Sequence, residues 1–335
     1  MIATVPEKNK KPGLCYAVTN SGLELPVIDI THPAFACDVS AEELGALVEE
    51  TVRNMAAMAA VPLETRRAMA VNSILARGWV EASGTYMTGL MTYLNRLGPD
   101  NLGDGYAGPI DRRIAAGLAP LSFRFRLRDL ARLIADALAA WLAHNPQGPV
   151  RLLNIGGGAA ADSLNGLILL HKEHPELLPG RRITVHVLDV DAEGPAFGAR
   201  ALAALVAEGA PLAGLDAALE HTAYDWSDPA ALAPGVAAVG STEGALFDYG
   251  SDDEIMANLA ALRERTPAGF VMTGSVVRAA STLDSRLAVS GSPPWMPSIR
   301  YIGLEAFETL ARAAGWTIAR RLESPMHHAI SLTKA

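Results

Sequence analysis

The sequence has few cysteines, no long apolar run and no excess of basic residues. Only Cys15 and Cys37 occur among 335 residues, and no Cys-x-x-Cys or Cys/His cluster is present. Neither a disulfide framework nor a structural zinc site is therefore expected. The 28 Lys and Arg residues are outnumbered by 36 Asp and Glu residues, which gives a formal net charge of −8. This balance opposes binding to nucleic-acid backbones or to anionic lipid.

Signals for export or membrane insertion are also missing. The longest apolar stretch, residues 133–143, is interrupted by Asp136 and is too short to span a bilayer. No apolar segment follows the charged residues at 7–11, so no signal peptide is expected. The hydrophobic content of 50% is sufficient for a substantial core. We expect a cytoplasmic protein that folds without metal or disulfides.

Apolar residues in the first part of the chain recur at three- and four-residue spacing, which is typical of amphipathic helices. Ser40 and Glu43 form a capping box that predicts the start of the first helix. Further helices are predicted over residues 62–79, 84–97 and 127–142. The first 145 residues are therefore predicted to be all-helical.

From Val150 onward, short apolar runs alternate with helical segments, a pattern that indicates parallel strands with right-handed crossovers. Strands are predicted over residues 150–155, 183–189, 219–223, 236–241, 270–275, 317–322 and 327–333. The segment 145–148, Asn-Pro-Gln-Gly, interrupts both patterns. We predict an α/β fold in which an all-helical domain (1–147) precedes a Rossmann-like sheet domain (148–335).

A glycine-rich turn follows the first predicted strand of this sheet. Gly156, Gly157 and Gly158 leave the strand, and Asp189 closes the next strand about thirty residues later. Glycines let a cofactor approach bare backbone, and a carboxylate at the end of the neighbouring strand can accept two hydrogen bonds from a ribose. The layout predicts a nucleotide-type cofactor site.

The glycines alone also permit an NAD(P)-dependent dehydrogenase. Gly156, Gly158 and Ala161 satisfy the Gly-x-Gly-x-x-Gly/Ala spacing of dinucleotide folds. Against this alternative, the acidic residue arrives after about thirty residues, whereas about twenty is usual. A long helical region also precedes the turn.

The end of the chain indicates a different family. Residues 303–316 predict a helix that ends at Ala314-Gly315-Trp316, and two strands that form an antiparallel hairpin follow. Together with the glycine turn, this order of motifs makes the segment from Val150 to Ala335 resemble the class I S-adenosylmethionine (SAM)-dependent methyltransferases, in particular those with a helical amino-terminal domain. The resemblance covers a little over half of the chain. It implies SAM as cofactor and S-adenosylhomocysteine (SAH) as product.

The resemblance also implies which positions contact the cofactor. In the family's first motif an acidic residue precedes Gly-x-Gly-x-Gly; here Asn154 replaces the acid, Ala160 replaces the third glycine, and Asp162 is a nearby charge. Asp189 corresponds to the acid that binds the ribose, and Asp191 is the second candidate for this position. The residues implied for the cofactor are Asn154, Gly156, Gly157, Gly158, Asp162, Asp189, Asp191, Asp225, Trp226 and Ser241. Asp225 either binds adenine or caps a short helix over residues 227–232.

Candidate catalytic groups follow the fourth predicted strand and occur in the hairpin. Glu243 and Tyr249 could accept a proton or orient a polar substrate, and His327 is a further candidate. Small-molecule oxygen methyltransferases usually carry a histidine after the fifth strand, but residues 276–300 contain none. Because methyl transfer mainly requires alignment and exclusion of water, a base is optional.

Four residues are predicted to contact the substrate: Tyr86, Arg124, Arg278 and Trp295. Arg124, Arg126 and Arg128 alternate with apolar residues, which predicts an extended segment with cations on one face. No spacing indicates a metal site.

The sequence thus predicts a homodimeric SAM-dependent methyltransferase that acts on a small molecule at O, N or C, in specialised metabolism. Two alternatives remain open. One is the dehydrogenase, and the other is a protein of this fold that binds SAM without methylating, as a binding subunit or a catalyst of rearrangement.

Overall fold

The computed structural model describes residues 9–279 and 297–335. The strands of this part are β1 (Tyr16–Val18), β2 (Glu24–Pro26), β3 (Val150–Ile155), β4 (Arg182–Leu188), β5 (Asp216–Thr222), β6 (Val239–Thr242), β7 (Val271–Val277), β8 (Trp316–Glu323) and β9 (His327–Lys334). The helices are α1 (Ala41–Ala59), α2 (Leu63–Ala70), α3 (Ile74–Glu81), α4 (Gly89–Arg96), α5 (Pro109–Ala116), α6 (Leu118–His144), α7 (Ala161–Glu173), α8 (Glu193–Leu205), α9 (Leu246–Tyr249), α10 (Asp252–Arg265) and α11 (Leu304–Ala313).

Seven strands form one sheet in the order β5-β4-β3-β6-β7-β9-β8. The strands β3 to β7 pair in parallel, and β9 is antiparallel to both β7 and β8. The predicted parallel sheet with a terminal antiparallel hairpin is therefore confirmed. The chain runs outward from β3 through β4 to β5 and then returns to β6 on the other side of β3. This reversal creates a crevice at the carboxyl ends of β3 and β6, where open α/β sheets bind ligands.

Helix boundaries in the first part of the chain differ from the prediction in several places. The capping box at Ser40 and Glu43 is confirmed. The single helix predicted over residues 62–79 is two helices, because Ser73 accepts a hydrogen bond from the N–H of Ala76 and starts α3. Helix α4 begins only at Gly89, after the cap Thr88.

The prediction of an extended arginine segment is wrong. Arg124, Arg126 and Arg128 belong to α6, which begins nine residues earlier than the sequence predicts. The alternation covers only a few residues, whereas apolar residues continue at helical spacing on both sides of it. At 3.6 residues per turn, Arg124 and Arg128 lie on one side of α6 and Arg126 on the opposite side. Arg126 is accordingly buried, while Arg128 is exposed.

The amino-terminal part also contains a two-stranded hairpin that helical periodicity does not predict. Strands β1 and β2 pair antiparallel. The buried hydroxyl of Tyr93 on α4 donates to the carbonyl of Pro26 and accepts the N–H of Ile28, both at 2.9 Å. These two bonds fix the end of the hairpin against α4.

The hydrophobic core extends across the predicted domain boundary. Leu25 and Leu94 belong to the same buried cluster as Leu152 and Leu167. The division at residues 147 and 148 stays a prediction. None of the helices in the described part of the chain combines the length and the apolar character needed to cross a membrane.

Helix α6 packs closely against α7 at a glycine, and this contact generates a prediction. A Cβ at Gly166 would lie 2.6 Å from Cγ2 and 3.0 Å from Cβ of Ile134. We expect Gly166→Ala to lower the free energy of unfolding by about 1–3 kcal/mol, the usual cost of overpacking a core. Gly45→Ala in α1 is the control, since no atom lies within 4 Å of its added Cβ. It should raise stability by roughly 0.5–1 kcal/mol. Urea denaturation measures both, and equal effects of the two substitutions would contradict the packing argument.

Candidate functional site

A cavity of about 190 Å³ lies at the carboxyl ends of the parallel strands, beneath the start of α4. It is bounded by the turns after β3, β4, β5 and β6 and by the loop between α3 and α4. The structure brings nine of the predicted site residues to it: Tyr86, Gly156, Gly157, Asp189, Asp191, Asp225, Trp226, Glu243 and Tyr249. The cavity therefore unites residues that lie far apart in the sequence.

The turn requires glycines because atoms of neighbouring segments approach its backbone closely. Gly156 and Gly158 have φ values of +64° and +53°, in the left-handed region. A Cβ at Gly156 would lie 2.5 Å from Cβ of Ala245, and one at Gly158 would lie 2.5 Å from Cα of Gly89. The first residue of α4 thus packs directly on the turn. Ala160 also has a positive φ, +53°.

Asp189 holds the turn and faces the cavity. Its Oδ2 accepts the N–H of Gly158 and its Oδ1 accepts the N–H of Asp191, both at 2.9 Å. Burial raises the pKa of this carboxyl, and the two backbone hydrogen bonds oppose the rise. Each carboxylate oxygen can accept more than one hydrogen bond. Asp189 can therefore bind a ribose while it keeps both backbone contacts.

Four predicted cofactor residues do not line the cavity: Gly158 in the turn itself, and Asn154, Asp162 and Ser241 behind it. The amide Nδ2 of Asn154 donates to Oδ1 of Asp162 at 2.7 Å and to Oγ of Ser163 at 2.9 Å. Oγ of Ser163 lies 3.4 Å from Oγ of Ser241. A Cβ at Gly157 would lie 1.7 Å from Oδ1 of Asn154, so this polar cluster supports the turn from below.

The turn after β5 contributes Asp225 and Trp226. The sequence left open whether Asp225 caps a helix. The structure assigns that cap to Asp228, whose side chain accepts from Ala230 before a short 3-10 helix, Pro229–Ala231. The side chain of Asp225 instead accepts the N–H of Ser227, which lowers the pKa of the Asp225 carboxyl. Cζ3 of Trp226 lies 3.2 Å from the Cβ position of Gly156, so the indole flanks the turn.

A buried group of four charges adjoins the cavity. Oε1 of Glu243 lies 2.8 Å from Nη2 of Arg96 and 3.4 Å from Nε of Arg126, and Oδ2 of Asp248 lies 3.0 Å from Nη1 of Arg126. Burial raises the pKa of Glu243 to about 7 and that of Asp248 to about 6, against the lowering effect of the guanidinium groups. Nε of Arg96 and Oε2 of Glu243 have no hydrogen-bond partner among the described residues.

Two tyrosines flank the opening of the cavity. The rings of Tyr86 and Tyr249 meet edge to face, with centroids 6.4 Å apart. Burial raises the pKa of Tyr249 to about 12, although a backbone hydrogen bond from Met87 acts in the opposite direction. The hydroxyl is therefore protonated at neutral pH, when it can orient a polar group by donating a hydrogen bond.

Other predicted residues lie elsewhere. His327 is buried near α6, with Nε2 4.0 Å from Oδ2 of Asp129, and burial lowers the pKa of His327 well below its usual value. Arg124 packs beside Gly98, and Nε of Arg278 donates to the carbonyl of Ser324 at 2.7 Å. None of the three lines the cavity. Trp295 falls outside the described residues. The described part of the chain contains no group of three or more His, Cys, Asp and Glu side chains placed to hold a metal ion.

Sequence reasoning missed several residues that line the cavity, including Gly89, Thr92, Arg96, Val190 and Ala245. Thr92 and Arg96 are four residues apart on α4 and therefore share one helix face. A signal was present, because three of the five residues in the run Tyr93-Leu94-Asn95-Arg96-Leu97 are apolar. It points to a buried cation but does not identify its partner.

The chain is similar in structure to several solved proteins but not to any known family in sequence. No protein-family model matches the chain, and no curated protein sequence matches it. A possible exported protein from Bordetella parapertussis is 16% identical, with a TM-score of 0.57 over 89% of this chain and 98% of that one. Magnesium protoporphyrin IX methyltransferase (ChlM) from Synechocystis PCC 6803 with bound SAH is 13% identical, with a TM-score of 0.44 over 74% of this chain and 94% of that one.

LepI in complex with SAM is 16% identical, with a TM-score of 0.40 over 60% of this chain. The chain spans only 46% of the length of LepI. At such identities a likeness shows the fold alone. The strand order described above confirms the predicted Rossmann-like sheet with a terminal antiparallel hairpin.

The raised pKa of Glu243 predicts an unusual dependence of stability on pH. Because the folded-state pKa of about 7 exceeds the ordinary value of 4.5, the folded state binds more protons between these values. The contribution of Glu243 to stability is therefore present below pH 4.5 and lost as the pH rises to 7. Glu243→Gln removes the titrating carboxyl. Between pH 4.5 and 7, the free energy of unfolding of this variant should therefore increase relative to that of the wild type, by at most about 3 kcal/mol.

Chemical denaturation at several pH values tests this prediction. The exposed substitution Glu64→Gln is the control, and its profile should run parallel to that of the wild type. A parallel profile for Glu243→Gln as well would contradict the prediction.

Proposed function

We propose that this protein is a SAM-dependent methyltransferase that acts on a small-molecule acceptor. The observation that carries the proposal is the cavity in which Gly156 and Gly157 present bare backbone beside Asp189, at the point where the strand order reverses. SAM would supply a methyl group bound to a sulfonium, and transfer of that group to the acceptor would release the neutral thioether SAH. The protein must then place the reactants in line and keep water out.

The cofactor residues fit this assignment on chemical grounds. Asp189 would accept hydrogen bonds from the ribose, and Trp226 offers an aromatic face beside Asp225 for the adenine. Asp191 accepts the N–H of Glu193 at 3.0 Å and so fixes the backbone next to Asp189. Val190 lies between these two acids and is 52% exposed, which leaves an apolar side chain free on the same wall.

Glu243 and Tyr249 are the proposed groups for the acceptor. Since the pKa of Glu243 is about 7, a substantial fraction of its carboxyl is ionised at neutral pH and can take a proton from an acceptor. Tyr249 would orient the acceptor, and Tyr86 would cover it. His327 does not line the cavity, so it would influence the acceptor only through the residues that lie between them. We also propose that the protein is a cytoplasmic homodimer with a role in specialised metabolism.

Removal of the Asp189 carboxylate should weaken cofactor binding. We expect Asp189→Ala to lower the affinity for SAH by about 10- to 100-fold, because hydrogen bonds to a charged group contribute roughly 1.5–3 kcal/mol. Isothermal titration calorimetry gives the affinity, and thermal unfolding without ligand shows that the variant is folded. Asp228→Ala, which removes a carboxylate from an exposed cap outside the cavity, should leave the affinity unchanged. Equal affinities of Asp189→Ala and wild type would show that the ribose does not bind there.

Methyl transfer itself is tested by the formation of SAH. Wild-type protein is incubated with SAM and a collection of small phenols, carboxylic acids and amines, and acceptor-dependent SAH is measured. We expect Tyr249→Phe to lower the rate with the best acceptor by about tenfold, since one orienting hydrogen bond is lost. SAM binding without SAH formation across the collection would favour a non-methylating protein. Fluorescence enhancement of NADH or NADPH would favour the dehydrogenase.

A further inference from the structure

The two ends of the cavity differ in charge. Asp225 and Asp189 follow β5 and β4, on one side of β3 in the sheet, whereas Glu243 follows β6 on the other side. Arg96 reaches the same end as Glu243 and is the one Lys, Arg or His among the described residues that line the cavity. A ligand that extends from Asp189 across the glycine turn therefore ends beside a guanidinium.

Arg96 is buried without a full set of partners. It is 4% exposed, and its contact with Oε1 of Glu243 engages Nη2. A guanidinium carries five N–H donors, and Nε of Arg96 has no partner among the described residues. Leaving a buried charged donor unpaired is costly, so a site of this kind favours an anionic ligand that completes the set.

The orientation of Arg96 is fixed by neighbouring charges. Glu243, which binds it, is also held by Arg126, and Arg126 is held in turn by Asp248. Arg96 is thus kept at the cavity wall in one geometry, as recognition of a planar carboxylate by a guanidinium fork requires. Asn154, the residue at the family's acidic position, lies behind the turn and cannot provide such a contact.

We infer that Arg96 binds the carboxylate of the amino-acid part of SAM and that Glu243 is the positioning residue that holds Arg96 in place. This inference rests on the proposed function. Under it, the cavity binds SAM at two points, with the sugar at Asp189 on the β4 side and the carboxylate at Arg96 on the β6 side. The helical part of the chain then contributes directly to cofactor binding through α4.

The test compares SAH with 5′-methylthioadenosine, which keeps the adenosine and the thioether but lacks the amino-acid part. Arg96→Lys keeps a positive charge opposite Glu243 and removes the fork. Arg96→Met/Glu243→Gln removes the ion pair without leaving one charge buried alone. We expect the affinity for SAH to fall by about tenfold in the first variant and by about 10- to 100-fold in the second. The affinity for 5′-methylthioadenosine, measured by the same calorimetry, should stay unchanged in both.

Two further variants complete the design. Glu243→Gln should lower the ratio of the affinity for SAH to that for 5′-methylthioadenosine. The decrease should be smaller than in the Arg96 variants, because Glu243 acts through Arg96. Asp189→Ala should weaken both ligands equally, because the sugar is common to them. Binding of 5′-methylthioadenosine itself reports that the cavity of each variant is folded.

Each outcome bears on a different claim. If neither ligand binds to the wild type, the proposed function fails. If both bind to the wild type and the Arg96 variants lose affinity for both equally, Arg96 only maintains the shape of the cavity and the inference is overturned. Unchanged affinity for SAH in Arg96→Lys and in the double variant would overturn it as well, since the carboxylate must then bind elsewhere.

Discussion

The cavity depends on the buried ion pairs that join the helical part of the chain to the carboxyl end of β6. Glu243 follows that strand and contacts Arg96 from α4 and Arg126 from α6. Charges taken out of water are tolerated only when they are paired in good geometry, so the loss of one partner leaves the others uncompensated. The position of α4 over the sheet is therefore coupled to the ionisation of Glu243.

The glycine turn imposes a second constraint on the same region. A Cβ at Gly194, the second residue of α8, would lie 2.8 Å from Cα of Gly158, and a Cβ at Gly89 would lie 2.5 Å from the same atom. Three backbone segments thus meet at Gly158 without side chains between them. Larger residues at any of these positions would separate α4 or α8 from the turn. The ion pairs attract α4 to the sheet, and the glycines determine how closely it can approach.

Local patterns were sufficient to predict the sheet and part of the site. Strand β3 matches its predicted bounds, and the glycine turn and Asp189 lie where the alternation of strands and helices places them. The same local logic failed for residues 123–128, because alternation over a few residues also occurs by chance within a longer helix. Arg96 was missed for a different reason. Its role depends on Glu243, almost 150 residues away, and spacing within one helix carries no information about that partner.

At position 154, where the family that the sequence resembles carries an acid, electrostatics favours an amide. Asn154 lies completely buried beside Asp162, which is also buried. A carboxylate at position 154 would place two buried negative charges within hydrogen-bonding distance, and such a pair cannot both ionise at low cost. The amide removes this repulsion and donates to Oδ1 of Asp162. One buried acid is thus retained under the turn, but it stands in α7, after the glycines, instead of in β3 before them.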